Sequence, residues 1–289
     1  MDSKSLNVFL QLSRNLHFGK TSQQVHMSPS TLSRTVRSLE QELGVSLFIR
    51  DNRSVELTHE GELLQRYAID YFEEYDKLAA SLSDREAQLS GSISIYCSVT
   101  AAHSFLYEVL KQFRLSNPGI EIVLHTGDTN DAIARVIDGH EDVAIAAKID
   151  RQPSSLKFKL LGETPLMMIA SKSHDIVAKL NPFDKTYWAT VPMILPERGV
   201  FRERIDEWFA EIDFTPSIYA QVGGNEAIVS MVSLGYGVGL IPKIVVDNSP
   251  LIEQVAAVEL NAAIPPVDVG FYTKARRLNN PLIAALWST

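Results

Sequence analysis

Residues 28–44, SPSTLSRTVRSLEQELG, decide how the amino-terminal end of the chain is read. Ser28 supplies an oxygen for the first free amides of a helix, and Pro29 suits the opening turn. Leu32, Val36, Leu39 and Leu43 fall on one face before Gly44 stops the helix. Upstream, Leu6, Phe9, Leu10 and Leu12 repeat at helical spacing, and a short helix follows the Phe18-Gly19 break, from about Lys20 to Val25. Two helices joined by a tight turn at His26-Met27-Ser28 make a helix-turn-helix, whose second helix lays its first side chains on base edges in a major groove. Ser28, Pro29, Ser30, Thr31, Ser33 and Arg34 hold those positions, and Arg34 has the fork for a bidentate contact with guanine. The same residues also read as a plain capped helix start, and spacing alone leaves both readings open.

Leu47-Phe48-Ile49-Arg50 and Ser54-Val55-Glu56-Leu57 alternate as two short strands around Asp51-Asn52, which makes a wing. Arg50 and Arg53 near its tip are candidates for the phosphate backbone or a minor groove; solvated surface arginines are the alternative. Thr58 then caps a helix that runs to about Ser83. In it Leu64, Ala68, Tyr71, Tyr75, Leu78 and Leu82 alternate spacings of four and three. A helix with one narrow apolar seam calls for a second copy of the chain, or for packing on its own domain.

The net charge of −8 argues against indiscriminate polyanion binding, but the charge is uneven. Residues 1–58 carry seven Lys and Arg against five Asp and Glu, leaving 20 against 30 for the rest, so the amino-terminal end alone suits DNA. The single cysteine, Cys97, excludes a disulfide framework within one chain, and the seven histidines lack the paired spacing of a metal site. A reduced, cytoplasmic setting is expected, without a membrane span or secretory signal. Cys97 sits at an apolar strand end with no motif naming a base for it, so no catalytic group is expected. Gly235-Tyr236-Gly237-Val238-Gly239 runs from helix into strand, the reverse of a dinucleotide loop.

Beyond a hinge at Gln88–Gly91, Ile93, Ile95 and Cys97 alternate as a strand, Phe105–Arg114 is an amphipathic helix, and Ile120–His125 and Val143–Ala147 are further strands. A helix near residues 129–138 completes a β-α-β-α-β unit with parallel strands. Leu166–Ala170, Pro192–Leu195, Ile218–Val222 and Val238–Ile241 read as strands of a second unit. After Pro265-Pro266, residues 267–273 and a helix near residues 282–287 rejoin the first. Open α/β sheets bind ligands beyond the carboxyl ends of their strands, so the loop Ser98-Val99-Thr100-Ala101-Ala102-His103 is the first candidate for a small acid, with Ser98, Val99, Thr100 and Ala101 as its contacts. Plain helix capping is the competing reading of those hydroxyls. Gly199-Val200-Phe201-Arg202 and Gly223-Gly224-Asn225-Glu226 precede helices of the opposing unit and can close over a ligand, with Thr129, Lys148 and Asn225 as polar partners.

Phe18, His26, Leu32-Ser33-Arg34, Leu39-Glu40, Leu43-Gly44, Leu47-Phe48, Arg50, Arg53, Leu57-Thr58 and Gly61 together resemble the signature of LysR-type regulators. The resemblance implies a winged helix-turn-helix DNA-binding domain (residues 1–58) and a linker and dimerisation helix (59–89). It also implies an α/β, two-lobed, periplasmic-binding-protein-like effector domain, with lobe I in 91–163 and 266–289 and lobe II in 164–265. The implied partners are double-stranded DNA with an inverted-repeat operator, RNA polymerase, a small-molecule effector, and the chain's own copies in a homodimer or homotetramer. Within the family, Met27–Arg34, Cys97–Ala102 and Val222-Gly223-Gly224 are similar to the activators of the acetohydroxy acid isomeroreductase gene of isoleucine and valine synthesis. That implies 2-acetolactate or 2-aceto-2-hydroxybutyrate as co-inducer. Departures are Thr21 and Ser22, where the family has two alanines, Pro29-Ser30, where Gln-Pro is common, and His103, where a tyrosine is expected. The alternatives are a LysR-type regulator of another pathway and, from another class, an exported solute-binding protein.

Overall fold

The computed structural model describes residues 1–50, 54–82, 89–173, 188–260 and 263–289. The chain divides into two compact units, Met1–Ala87 and Gln88–Thr289.

In the first unit, Asp2 caps α1 (Ser3–Asn15) by accepting the Ser5 amide at 2.7 Å, and Leu16 ends it in the left-handed region. His17 caps α2 (Phe18–Gln24), and Ser28 caps α3 (Pro29–Leu43), which Gly44 closes at φ 71°. Each cap meets an amide that the helix cannot bond internally, which fixes where the helix begins. Leu32, Val36 and Leu39 pack with Val8, Phe9, Leu12, Leu47 and Phe48 in one core. Burial of each large apolar side chain there contributes roughly 1.5–3 kcal/mol. Leu43, expected on the same face, lies outside that cluster and is 40% exposed. Thr21 and Ser22 are buried, but their hydroxyls donate to the carbonyls of His17 and Gly19 at 3.0 and 2.9 Å, so polar side chains are accommodated there.

The strand β1 (Phe48–Arg50) pairs antiparallel with β2 (Val55–Leu57), and α4 (His59–Leu82) follows. Thr58 pins the joint. Its amide donates to the Leu47 carbonyl at 3.1 Å, its hydroxyl donates to the Ser46 carbonyl at 2.7 Å, and the same hydroxyl accepts the Gly61 amide at 2.9 Å. Any Cβ on Gly61 would meet the Leu47 carbonyl oxygen and approach Leu57 Cδ2 to 2.9 Å.

The second unit holds two five-stranded sheets. In the first, β3 (Gly91–Cys97) runs parallel to β4 (Ile120–Thr126) and β5 (Val143–Ala147), and β12 (Val267–Lys274) runs antiparallel to β5 and β6 (Leu156–Thr164). In the second, β8 (Pro192–Pro196) runs parallel to β9 (Ser217–Val222) and β10 (Val238–Pro242), while β7 (Leu166–Ser171) runs antiparallel to β10 and β11 (Val255–Val258). The chain crosses from β6 into β7 and returns from β11 to β12, and Thr164 lies opposite Val267 where the crossings pair. Helices cover the sheets: α5 (Val99–Ala101) continues through a π-turn into α6 (Tyr107–Ser116), followed by α7 (Ala132–Ile137), α8 (Val200–Glu211), α9 (Asn225–Ser233), α10 (Lys243–Asp247) and α11 (Pro281–Ser288). The sequence reading omits β6 and β11. A bulge at Leu161, opposite Val269-Gly270, breaks the alternation that would mark β6.

Alanine ordinarily stabilises a helix by about 0.5–1 kcal/mol over glycine. At position 61 the contact with Leu47 and Leu57 outweighs that gain, so Gly61→Ala is expected to lower the thermal midpoint of the first unit by the equivalent of at least about 1 kcal/mol. A raised midpoint would show that the joint has room.

Candidate functional site

Two regions collect the polar groups singled out from the sequence. The first is the start of α3. Ser28 Oγ accepts the Thr31 amide at 3.2 Å and lies 2.9 and 2.8 Å from the hydroxyls of Ser30 and Thr31. Ser28, Pro29, Ser30, Thr31 and Arg34 are exposed and Ser33 is half-buried, while Leu32 between them is fully buried. The buried leucine turns the hydroxyls and Arg34 outward. No acidic residue occupies the first turn, so the amide end of α3 keeps its positive field. Arg37, one turn beyond Arg34, is also exposed and escaped the sequence reading.

The wing supplies a correction. Arg50 is not a solvent-facing cation. Its guanidinium donates to Glu40 Oε2 at 2.7 Å and lies over the Phe18 ring, 5.3 Å from the centroid. Glu40 Oε1 also accepts the Leu47 amide at 3.0 Å, so Arg50 ties the hairpin to α3. Arg53 lies outside the described residues.

The seam of α4 divides. Leu64 and Ala68 pack with Leu6, Leu10 and Ile69 of the same unit, so the chain's own core takes the first two seam positions. Tyr71, Tyr75 and Leu78 are exposed, joined by Leu63 and Tyr67. The exposed row therefore starts one position earlier on the helix than the heptad reading places it. The side chain of Leu82 lies outside the described residues.

The second region is a cleft of about 750 Å³, its open mouth included, between the two sheets of the second unit. It opens beyond the carboxyl ends of β3, β5, β8 and β10, where the strand order of each sheet reverses. Ser98, Thr100, Ala101, Thr129, Phe201, Gly224 and Asn225 all line it. Ser98 Oγ accepts the Ala101 amide at 3.1 Å, and the Thr100 hydroxyl donates across the cleft to Glu226 Oε1 at 2.5 Å. Arg198 donates to Asp128 and Asp131, each at 3.3 Å.

Other expected residues fall elsewhere. Val99 is exposed and does not line the cleft. Gly199 and Val200 line a neighbouring hollow that shares Thr129, Asn130 and Phe201 with it. Gly199 has φ 89°, where an L side chain is strained, and a Cβ there would also force the Asn130 side chain to shift. Lys148 pairs with Asp268 at 3.1 Å over the Phe158 ring and lines neither space. Cys97 is fully buried, and burial pushes its thiol up to about 11, which removes the thiolate that a nucleophile requires.

Sequence reasoning missed Thr164 and Arg198, and it named Glu226 only as part of the helix start that could close over a ligand. Thr164, 1% exposed, lines the cleft and its hydroxyl has no partner among the described residues. Such a hydroxyl costs about 1–3 kcal/mol. The isosteric Thr164→Val is therefore expected to raise the thermal midpoint measured without added ligand, by the equivalent of about 1 kcal/mol. A fall would show that the hydroxyl is already satisfied.

A winged helix-turn-helix, a long helix with an exposed apolar row, and a two-lobed α/β domain with a polar cleft define a one-component regulator. Residues 3–62 match the bacterial regulatory helix-turn-helix protein model of the lysR family, and residues 86–289 match the LysR substrate binding domain. The chain belongs to the LysR family and is a transcriptional regulator, not an enzyme. It is 42% identical to the HTH-type transcriptional activator IlvY of Salmonella typhimurium, over 99% of this chain and 98% of that one. It is 39% identical to IlvY of Haemophilus influenzae, over 100% and 99%. The fold is shared with a full-length OxyR variant from Pseudomonas aeruginosa (TM-score 0.74, 23% identity, 100% of this chain and 94% of that one). It is also shared with full-length CbnR complexed with its target DNA (TM-score 0.65, 18% identity, 100% and 98%). Membership of the family takes the place of the solute-binding alternative.

Proposed function

We propose that the chain activates the acetohydroxy acid isomeroreductase gene of isoleucine and valine synthesis, in the cytoplasm, with 2-acetolactate or 2-aceto-2-hydroxybutyrate as co-inducer. The observation that carries this reading is the 39–42% identity to IlvY activators along essentially the whole chain, the sensor included. The exposed start of α3 reads an inverted repeat in double-stranded DNA, Arg34 and the hydroxyls meeting base edges or phosphates. A second copy covers the α4 row, and pairing raises affinity through effective concentration. In the sensor, Ser98, Thr100, Ala101, Thr129, Phe201, Gly224 and Asn225 surround the acid. An effector that binds one lobe arrangement better than another shifts the population toward it and so changes the contact with RNA polymerase.

An electrophoretic shift with the region upstream of the reductoisomerase gene tests the reading. A sequence-specific shift is expected at physiological salt, and Arg34→Ala should cost about 1–3 kcal/mol of discrimination. No specific shift would remove the proposal. Charging the α4 row with Tyr75→Glu and Leu78→Glu together should dissociate the assembly in sedimentation and weaken operator binding with it. An unchanged sedimentation coefficient would place the interface elsewhere.

The alternative reading is a LysR-type regulator of another pathway with a different small-acid effector. A thermal shift with another small acid and none with acetohydroxy acids would select it.

A further inference from the structure

Among the described residues, three charged ones line the cleft: Asp128, Arg198 and Glu226. Arg198 already faces two carboxylates, those of Asp128 and Asp131. Glu226 meets no cation among the described residues, and its side-chain bond is the one from the Thr100 hydroxyl. At 2.5 Å that bond has the length of a charge-assisted O–H···O⁻ contact. Thr100 is buried, so its hydroxyl is a fixed donor on one side of the cleft, and the Glu226 carboxylate is an acceptor on the other.

We propose that Glu226 is the specificity-determining residue of the cleft and restricts the effector to monocarboxylic acids that carry a hydroxyl beside their carboxylate. This rests on the reading of the cleft as a small-acid site. An acid that takes the Thr100 hydroxyl for its own carboxylate removes the donor from Glu226 and sets two like charges side by side. A carboxylate offers no proton of its own, so only a donor carried by the ligand restores the lost bond. A hydroxyl on the carbon next to the ligand carboxylate stands where that donor is needed. An acid without it leaves Glu226 unpaired beside a like charge, and a dicarboxylate adds a second repulsion.

An independent feature of the same cleft points to a ligand with one more oxygen. The Thr164 hydroxyl, buried and without a partner among the described residues, is left to donate to a carbonyl on the ligand's far side. The ligand class that satisfies all three groups is a 2-hydroxy acid with a further acceptor oxygen.

The test is calorimetric titration of the full chain with 2-acetolactate and with two acids of matched shape, 2-hydroxyisobutyrate and pivalate, in which a methyl of similar size replaces the hydroxyl. The wild-type chain should bind acetolactate and prefer the hydroxy acid by about tenfold or more, the scale of one hydrogen bond to a charged group. Glu226→Ala should bring the pair to within about twofold of each other. Glu226→Gln keeps an acceptor and loses the charge, so it should retain the hydroxyl preference and newly admit malate. If acetolactate binds both wild type and Glu226→Ala while the hydroxyl preference persists in the variant, the role of Glu226 is overturned and the small-acid reading stands. If the wild type binds none of the three acids, both fall.

Discussion

The second unit depends on a single constraint, that its described strands divide between two sheets, with β6 leading into β7 and β11 returning to β12. Thr164 sits on the first crossing, paired with Val267 on the second, so the floor of the cleft is also the joint of the lobes. Each sheet contributes parallel strands whose carboxyl ends face this joint, and polar helix starts such as Ser98 and Asn225 are delivered there by the topology. A buried hydroxyl without a partner among the described residues is tolerated at such a place because a binding site trades stability for a free polar group.

In the first unit a comparable division holds between what is buried and what is displayed. Leu32, Val36 and Leu39 anchor α3 on α1 and the wing, and that anchoring fixes which face of α3 carries Ser30, Thr31 and Arg34 outward. The Arg50–Glu40 pair, with Glu40 also holding the Leu47 amide, locks the wing against α3. Base-reading groups are thus presented by a scaffold held by its own buried core and by the Glu40 contacts.

Local chemistry was legible in the residues: Ser28, Pro29 and Gly44 bound α3 as capping rules require, and the parallel strands around Ser98 followed from alternation and glycine stops. What escaped was set by partners distant in sequence. The spacing of Leu64 and Ala68 marks an apolar seam but cannot say that Leu6 and Leu10 cover it. Lys148 looked available until Asp268, 120 residues away, was brought beside it. Glu226 reaches Thr100 across 126 residues of chain, and no local pattern announces that bond. The β6 strand was hidden by its bulge, which puts consecutive residues out of the two-residue period.

The account stands most directly on where a small acid sits in the sensor. A crystal structure of the chain grown with 2-acetolactate should show the ligand between Thr100 on one lobe and Asn225-Glu226 on the other, within reach of Thr164. Ligand density on the outer face of either sheet, with the Thr100–Glu226 bond intact, would contradict it.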